Sequence, residues 1–195
     1  MTQSKIAIFA SGNGTNAEEI FKYFKHHDSI EVVILLTNNP AAFAITRAQL
    51  HKIPVRIFDK GMLAHSEIIL TWLADYQVTH IVLAGFMWLI PDYLIRSFPQ
   101  RIINIHPALL PNHGGKGMYG MKVHQSVKNA GDAETGITIH LVDERYDEGK
   151  IMFQFKCAVV NSDDPETIAD KVHRLEYEYY PKAIESWIMD RKLND

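Results

Sequence analysis

The chain has 195 residues, of which 47% are hydrophobic and 22% charged, with a formal charge of -3. These values are ordinary for one folded unit of this length and exclude a disordered chain, and the small negative charge argues against nonspecific binding along a nucleic-acid backbone. No apolar stretch reaches the ~18 residues of a membrane span, the N-terminal "MTQSKIAIFA" carries no long apolar leader, and Cys157 is the only cysteine, so a cytoplasmic protein without disulfides or a thiolate metal cluster is expected.

Along the chain, short β-rich runs alternate with segments of helical period. Strands are expected at 5–10 ("KIAIFA"), 31–37, 55–58, 80–85 and 101–105, and helices at 16–27, 40–51, 64–77 and 91–98, with Pro91 in a first helical turn. Such alternation is the signature of βαβ units, and the nearly continuous apolar strands suit a parallel sheet covered on both faces. After residue 106 the pattern changes. The proline- and glycine-rich "PALLPNHGGKGMYG" leads to a helix at 121–130, and two alternating runs at 136–142 and 150–160, joined by "DERYDEG", read as an antiparallel addition to the sheet. Asp164 can cap a last helix that begins at Pro165, and Pro181 should kink or split it. The expected class is α/β: a single-domain open twisted sheet, mainly parallel, with a Rossmann-like N-terminal half.

"ASGNGTNAEE" follows the first strand and opens the first helix, so Gly12, Gly14, Thr15 and Asn16 can form an anion site from close-approach backbone and free N–H groups. Gly12, Gly14 and Ala17 also satisfy the dinucleotide fingerprint, yet the second strand ends in Thr37, Asn38 and Asn39, where an acidic residue for the ribose is wanted. A plain tight turn, a dinucleotide and a phosphomonoester all stay open for this loop.

In "NIHP", Asn104 and His106 stand at i and i+2 on a strand and therefore share a face. An amide can donate to a developing oxyanion and an imidazole can exchange a proton near neutral pH, with Asp147 as the carboxylate that could orient it; buried core polar groups and a turn aspartate are the plain alternatives. No nucleophile elbow, P-loop or zinc-helix motif is present, and the scattered histidines suggest no metal site.

The ordered set "SGNGTN", "LAGFM", "NIHPALLP", "GITIH" and "YDEG" resembles the folate-dependent phosphoribosylglycinamide (glycinamide ribonucleotide) formyltransferases of purine biosynthesis over nearly the whole chain. The resemblance implies transfer of the formyl group of 10-formyltetrahydrofolate, a cosubstrate, to glycinamide ribonucleotide, with no metal. It makes Asn104, His106 and Asp147 the catalytic trio. It puts the substrate phosphate on Gly14, Thr15 and Asn16 and the ribose on Glu176, and it lines the folate pocket with Met87, Trp88, Leu89 and Ile90, beside Asn104. Residues 1–100 would then form the phosphate-binding half and 101–195 the catalytic and folate-binding half of one formyltransferase domain. His124 and His140 match histidines near the site, with a supporting or a structural role. The chain departs from the family's D-G-G-P in having Asp147, Glu148, Gly149 and Lys150, it lengthens the 112–121 loop, and it offers only Lys60 for a folate-binding arginine. A formyltetrahydrofolate hydrolase or a methionyl-tRNA formyltransferase would be expected to carry a further domain, and a nicotinamide-dependent oxidoreductase is opposed by the missing acidic residue. Monomer and homodimer are both compatible with the sequence.

Overall fold

The apolar runs become the strands of one seven-stranded sheet in the computed structural model, which describes residues 3–190. The very ends of the chain, on which the readings of leader and appended domain partly rest, lie outside the described residues. The strands are β1 (Ser4–Phe9), β2 (Ile30–Thr37), β3 (Val55–Ile57), β4 (His80–Leu83), β5 (Ile102–His106), β6 (Glu134–Leu141) and β7 (Ile151–Ala158). Their order is β3-β2-β1-β4-β5-β6-β7; the first five strands are parallel, while β6 and β7 run antiparallel to their neighbours. The helices are α1 (Thr15–Phe24), α2 (Phe43–Leu50), α3 (Lys60–Ala64), α4 (Ser66–Asp75), α5 (Asp92–Ser97), α6 (Met121–Ala130) and α7 (Pro165–Ile188).

Successive side chains of a strand face opposite ways, and both faces here are apolar. In β1, Ile6 and Ile8 join a core that includes Ile20 and Phe21 of α1 and Ile168, Val172 and Ile184 of α7, whereas Ala7 and Phe9 join a second core with Ile69 and Leu73 of α4 and Leu94 of α5. A fully buried strand has no polar face, which is why these runs lack alternation.

Three local expectations are corrected. The helix expected at 64–77 is α4, and a separate short helix, α3, precedes it, because Asp59 caps an earlier turn by accepting from Met62 N–H (2.8 Å) and His65 is extended between the two. Pro91 is not in the first helical turn of α5 but at its N-cap, with extended backbone (φ -68°, ψ 149°). Pro181 does not split α7, which runs on to Ile188 with Pro181 buried inside it. The ring lacks an N–H for the carbonyl four residues back, but packing of Tyr180, Ala183 and Ile184 in the first core holds the helix on either side.

The strand order reverses between β1 and β4, since β2 and β3 lie on one side and β5 to β7 on the other. Ligands of open α/β sheets bind outside the carboxyl ends of the strands at such a switch point.

Candidate active site

A cleft of about 600 Å³ opens at that switch point, lined by the segments 12–16, 83–90 and 104–107, by the loop 115–120, and by residues of β6, the 142–147 connection and α7. The loop after β1 supplies one end. Gly14, with φ 74°, is the N-cap of α1, and no side chain caps that helix, so its first-turn N–H groups belong to the cleft. The loop is braced from behind. Ala44 N–H donates to Gly12 O (3.1 Å), Arg47 Nε–H to Asn13 O (3.0 Å), and Arg47 also pairs with Glu18. The end of β2, where a dinucleotide site wants a carboxylate, is committed to the same brace: Asn39 Nδ2–H donates to Ser11 O (3.2 Å) and Thr37 is fully buried.

Opposite the loop, Glu176 of α7 is buried and accepts from Asn16 Nδ2–H (3.0 Å), while Asn16 Oδ1 is buried without a hydrogen-bond partner. Burial raises the Glu176 carboxyl above the usual carboxylate range, against the opposing hydrogen bond from Asn16.

Asn104 and His106 reach the cleft from the end of β5, as their i, i+2 spacing requires. The antiparallel register places His140 directly across from Asn104. His140 Nδ1–H donates to Leu141 O (2.9 Å), so in the neutral ring Nε2 is an acceptor and takes one N–H of the Asn104 amide (3.2 Å). His106 Nε2–H donates to His113 O (2.8 Å), and its Nδ1 lies 3.5 Å from Asp147 Oδ2. Asp147 Oδ1 is 3.6 Å from His140 Nε2, so one carboxylate stands between two imidazoles.

Asp147 adopts φ 59°, an uncommon conformation for a residue with a side chain, and Gly115 N–H donates to its Oδ2 (2.9 Å). Burial works to raise its pKa, but the imidazoles of His140 and His106 and the Gly115 N–H outweigh it and hold the carboxyl below the ordinary value. Burial likewise dominates at His106 and pushes the imidazole down, although Asp147 and the His113 carbonyl push it up. Asp147 therefore works to raise the basicity of His106 without overcoming burial.

The remaining expected residues lie in the same cleft with unequal exposure. Met87 and Leu89 are 39% and 40% exposed, Trp88 is half-buried, and Ile90, at 2%, is mainly a core residue. Lys60 Nζ sits 5.6 Å above the Trp88 ring and is not itself in the cleft wall. Three basic lining residues, Lys116, Arg145 and His173, were not singled out from the sequence. His173 was findable, being one helical turn before Glu176; a lone lysine among glycines and an arginine in a charged connection carry no such signal. Among the described residues, no group of three or more His, Cys, Asp or Glu side chains is placed to hold a metal ion.

A formyl transferase family model matches residues 4–184. The chain belongs to the formyl transferase family. It is 37% identical to the phosphoribosylglycinamide formyltransferase of Bacillus subtilis over 92% of each chain, and 39% identical to the chloroplastic phosphoribosylglycinamide formyltransferase of Arabidopsis thaliana over 93% of this chain and 64% of the relative. It thus spans less than two thirds of the plant protein. The crystal structure of phosphoribosylglycinamide formyltransferase from Anaplasma phagocytophilum superposes with a TM-score of 0.87 at 30% identity, covering 100% of this chain and 92% of that one. The formyl transferase fold explains the mixed sheet, parallel through β5 and antiparallel beyond it.

Among the described residues of this formyl transferase, no helix is long and apolar enough to cross a membrane. Two histidines give its stability a pH dependence. His80, through burial and the charge of Arg101, and His124, through burial and the charges of His173 and His106, are both pushed down to about 4. Each takes up a proton more readily when unfolded, so this part of the stability is complete above the ordinary value of 6.5 and is lost as pH falls toward 4. The urea midpoint should fall between pH 7 and pH 5, and a His80→Gln/His124→Gln double variant should show a smaller fall; an equal fall would remove these groups as its cause.

Proposed function

We propose that the chain transfers the formyl group of 10-formyltetrahydrofolate to the amine of phosphoribosylglycinamide, giving formylglycinamide ribonucleotide and tetrahydrofolate, a step of de novo purine (IMP) biosynthesis. The observation that carries this reading is the convergence of the uncapped start of α1, the buried Glu176 and the Asn104, His106 and Asp147 group in one cleft. An anionic phosphate is suited to the N–H groups of Gly14, Thr15 and Asn16. Glu176, in the cleft wall, is suited to accept from ribose hydroxyls. At the other end, Met87 and Leu89 present apolar surface that a flat folate ring would cover.

In this reading the acceptor amine attacks the formyl carbon, the bond from that carbon to the folate nitrogen breaks, and the amine's proton ends on the folate nitrogen. Charge develops on the formyl oxygen meanwhile. Asn104 has one N–H held by His140 and a second left for that oxygen, and a protonated His106 adds the positive charge. Asp147 favours that protonated form. We read residues 1–195 as one formyltransferase domain acting on small molecules in the cytoplasm, with the phosphate loop in 1–100, the reacting groups in 101–195 and the folate site shared with the 83–90 segment.

The test is folate release at saturating 10-formyltetrahydrofolate, followed by absorbance with and without the ribonucleotide, and identification of the formylated product by mass. Release should require the ribonucleotide; release without it would make the protein a hydrolase, and no release would overturn formyl transfer. One substitution probes the phosphate end alone. A Cβ on Gly14 would lie 2.6 Å from Ala44 Cβ in a backbone already at φ 74°, so Gly14→Ala must displace the loop from α2. The ribonucleotide KM should rise by roughly tenfold, with the folate KM little changed, because the N–H groups of the helix start lose their common aim. An unchanged ribonucleotide KM would place the phosphate elsewhere.

A further inference from the structure

His113 lies outside the cleft wall, yet it is the residue whose carbonyl accepts the His106 Nε2–H. Its backbone is left-handed, with φ 57°, a conformation that histidine visits more than most residues but that still needs support. The support is specific. His113 Nε2 is 2.6 Å from Asp132 Oδ2, in the turn after α6, and His113 Nδ1 is 2.8 Å from Ser126 Oγ on α6 itself. The side chain is therefore gripped at both ring nitrogens while the main chain presents its carbonyl to His106. A Ser, His and Asp set invites a nucleophile reading, but Ser126 lines neither the main cleft nor the smaller cavity beside His113 and Asp132. The set is a clamp.

The clamp matters for His106 because that ring stands between two acceptors, the His113 carbonyl and the Asp147 carboxylate. A neutral imidazole has a single N–H and can satisfy only one of them, whereas the imidazolium satisfies both. We propose that His113, held by Ser126 and Asp132, is a positioning residue that fixes the orientation and protonation of His106 through its own carbonyl. Its bearing on turnover rests on the formyl-transfer reading, but its effect on His106 does not. The groups that face His106 are Asp147 from the β6–β7 connection, His140 from β6, His124 from α6 and His113 itself; of these, Asp147 and the His113 carbonyl favour the cation, while the charges of the neighbouring histidines oppose it.

The experiment compares His113→Ala, His113→Asn and Asp132→Asn with the parent full-length chain, by nitrogen-15 NMR of the His106 ring and by steady-state kinetics across pH. In His113→Ala the His106 titration midpoint should move to lower pH and its Nε2 proton should exchange faster. Its kcat should fall about tenfold while both KM values stay within about twofold, the loss expected for one hydrogen bond to a charged group. His113→Asn should recover part of the loss, since asparagine tolerates the left-handed backbone and its amide stands where Nδ1 meets Ser126 Oγ. Asp132→Asn, which leaves the loop sequence intact, should shift His106 in the same direction by a smaller amount, and it carries the test if His113→Ala does not fold. An unmoved His106 midpoint in Asp132→Asn and in a folded His113→Ala would overturn the proposal. So would an asparagine variant no better than alanine. A parent protein that does not turn over would sink formyl transfer, with the His106 titration still reporting on His113.

Discussion

His106→Ala and Asn104→Ala should each lower kcat about a hundredfold, close to 2.7 kcal/mol of activation free energy, while the melting temperature and the ribonucleotide KM change little. The size follows from where charge appears. The donors of Asn104 and a protonated His106 gain strength only as the formyl oxygen becomes negative, so their loss reduces turnover rather than binding. Removing Asn104 has a second consequence, since His140 Nε2 loses the N–H it accepts and is left 3.6 Å from the Asp147 carboxylate without a donor. Asn104→Ala should therefore disturb the pH profile as well as its height, whereas His106→Ala should flatten its descending limb. Single-turnover rates measured with both substrates saturating would separate chemistry from product release. Parent-like rates in either variant would remove the proposed oxyanion site.

Asp147→Asn should cost about ten- to a hundredfold in kcat and move the descending limb of the pH profile to lower pH. The substitution keeps shape and can keep the bond from Gly115 N–H, so what it removes is the negative charge between His106 and His140. Burial already pushes the His106 imidazole down and Asp147 is the largest influence pushing it up, so without the charge less of the cation exists at any pH above the new midpoint. Activity that depends on the cation must then be lost at lower pH than in the parent. Recovery of the rate at reduced pH would support this account; a uniformly lowered profile with its limb unmoved would show that Asp147 acts only through loop geometry. The loop does have a steric lock. A Cβ on Gly149 would fall 1.8 Å from Leu141 O, so the strand end fits only glycine there and the connection carrying Asp147 is pinned to β6.

Asn104 and His106 were legible as a pair because strand periodicity alone puts i and i+2 on one face. Gly14, Thr15 and Asn16 were legible because a glycine turn before a helix leaves N–H groups unpaired wherever it occurs. Asp147 was different. Nothing in "RYDEG" distinguishes a turn aspartate from a functional one; the resemblance to the formyltransferases selected it, and only the fold puts it within 3.5 Å of His106 and 3.6 Å of His140. The short helix α3 ahead of α4 and the unsplit course of α7 through Pro181 were not legible for one reason, that capping by Asp59 and packing around Pro181 both outweigh local propensity.

By itself the sequence determined the alternation of strand and helix, the fully buried character of the central strands, and the motifs standing at strand ends. These follow from periodicity, which is a property of neighbouring residues. Tertiary structure alone decided the order in which the strands lie, and with it the reversal between β1 and β4 that brings residues 14, 104, 147 and 176 to one cleft. It alone decided that the His113 carbonyl meets His106, a contact between a ring and a main-chain atom whose type every residue shares. A backbone carbonyl leaves no mark in the sequence. The direction in which the His106 imidazole is pushed was decided in the same way, since burial and facing charges are sums over groups brought together from β5, β6, α6 and two connections.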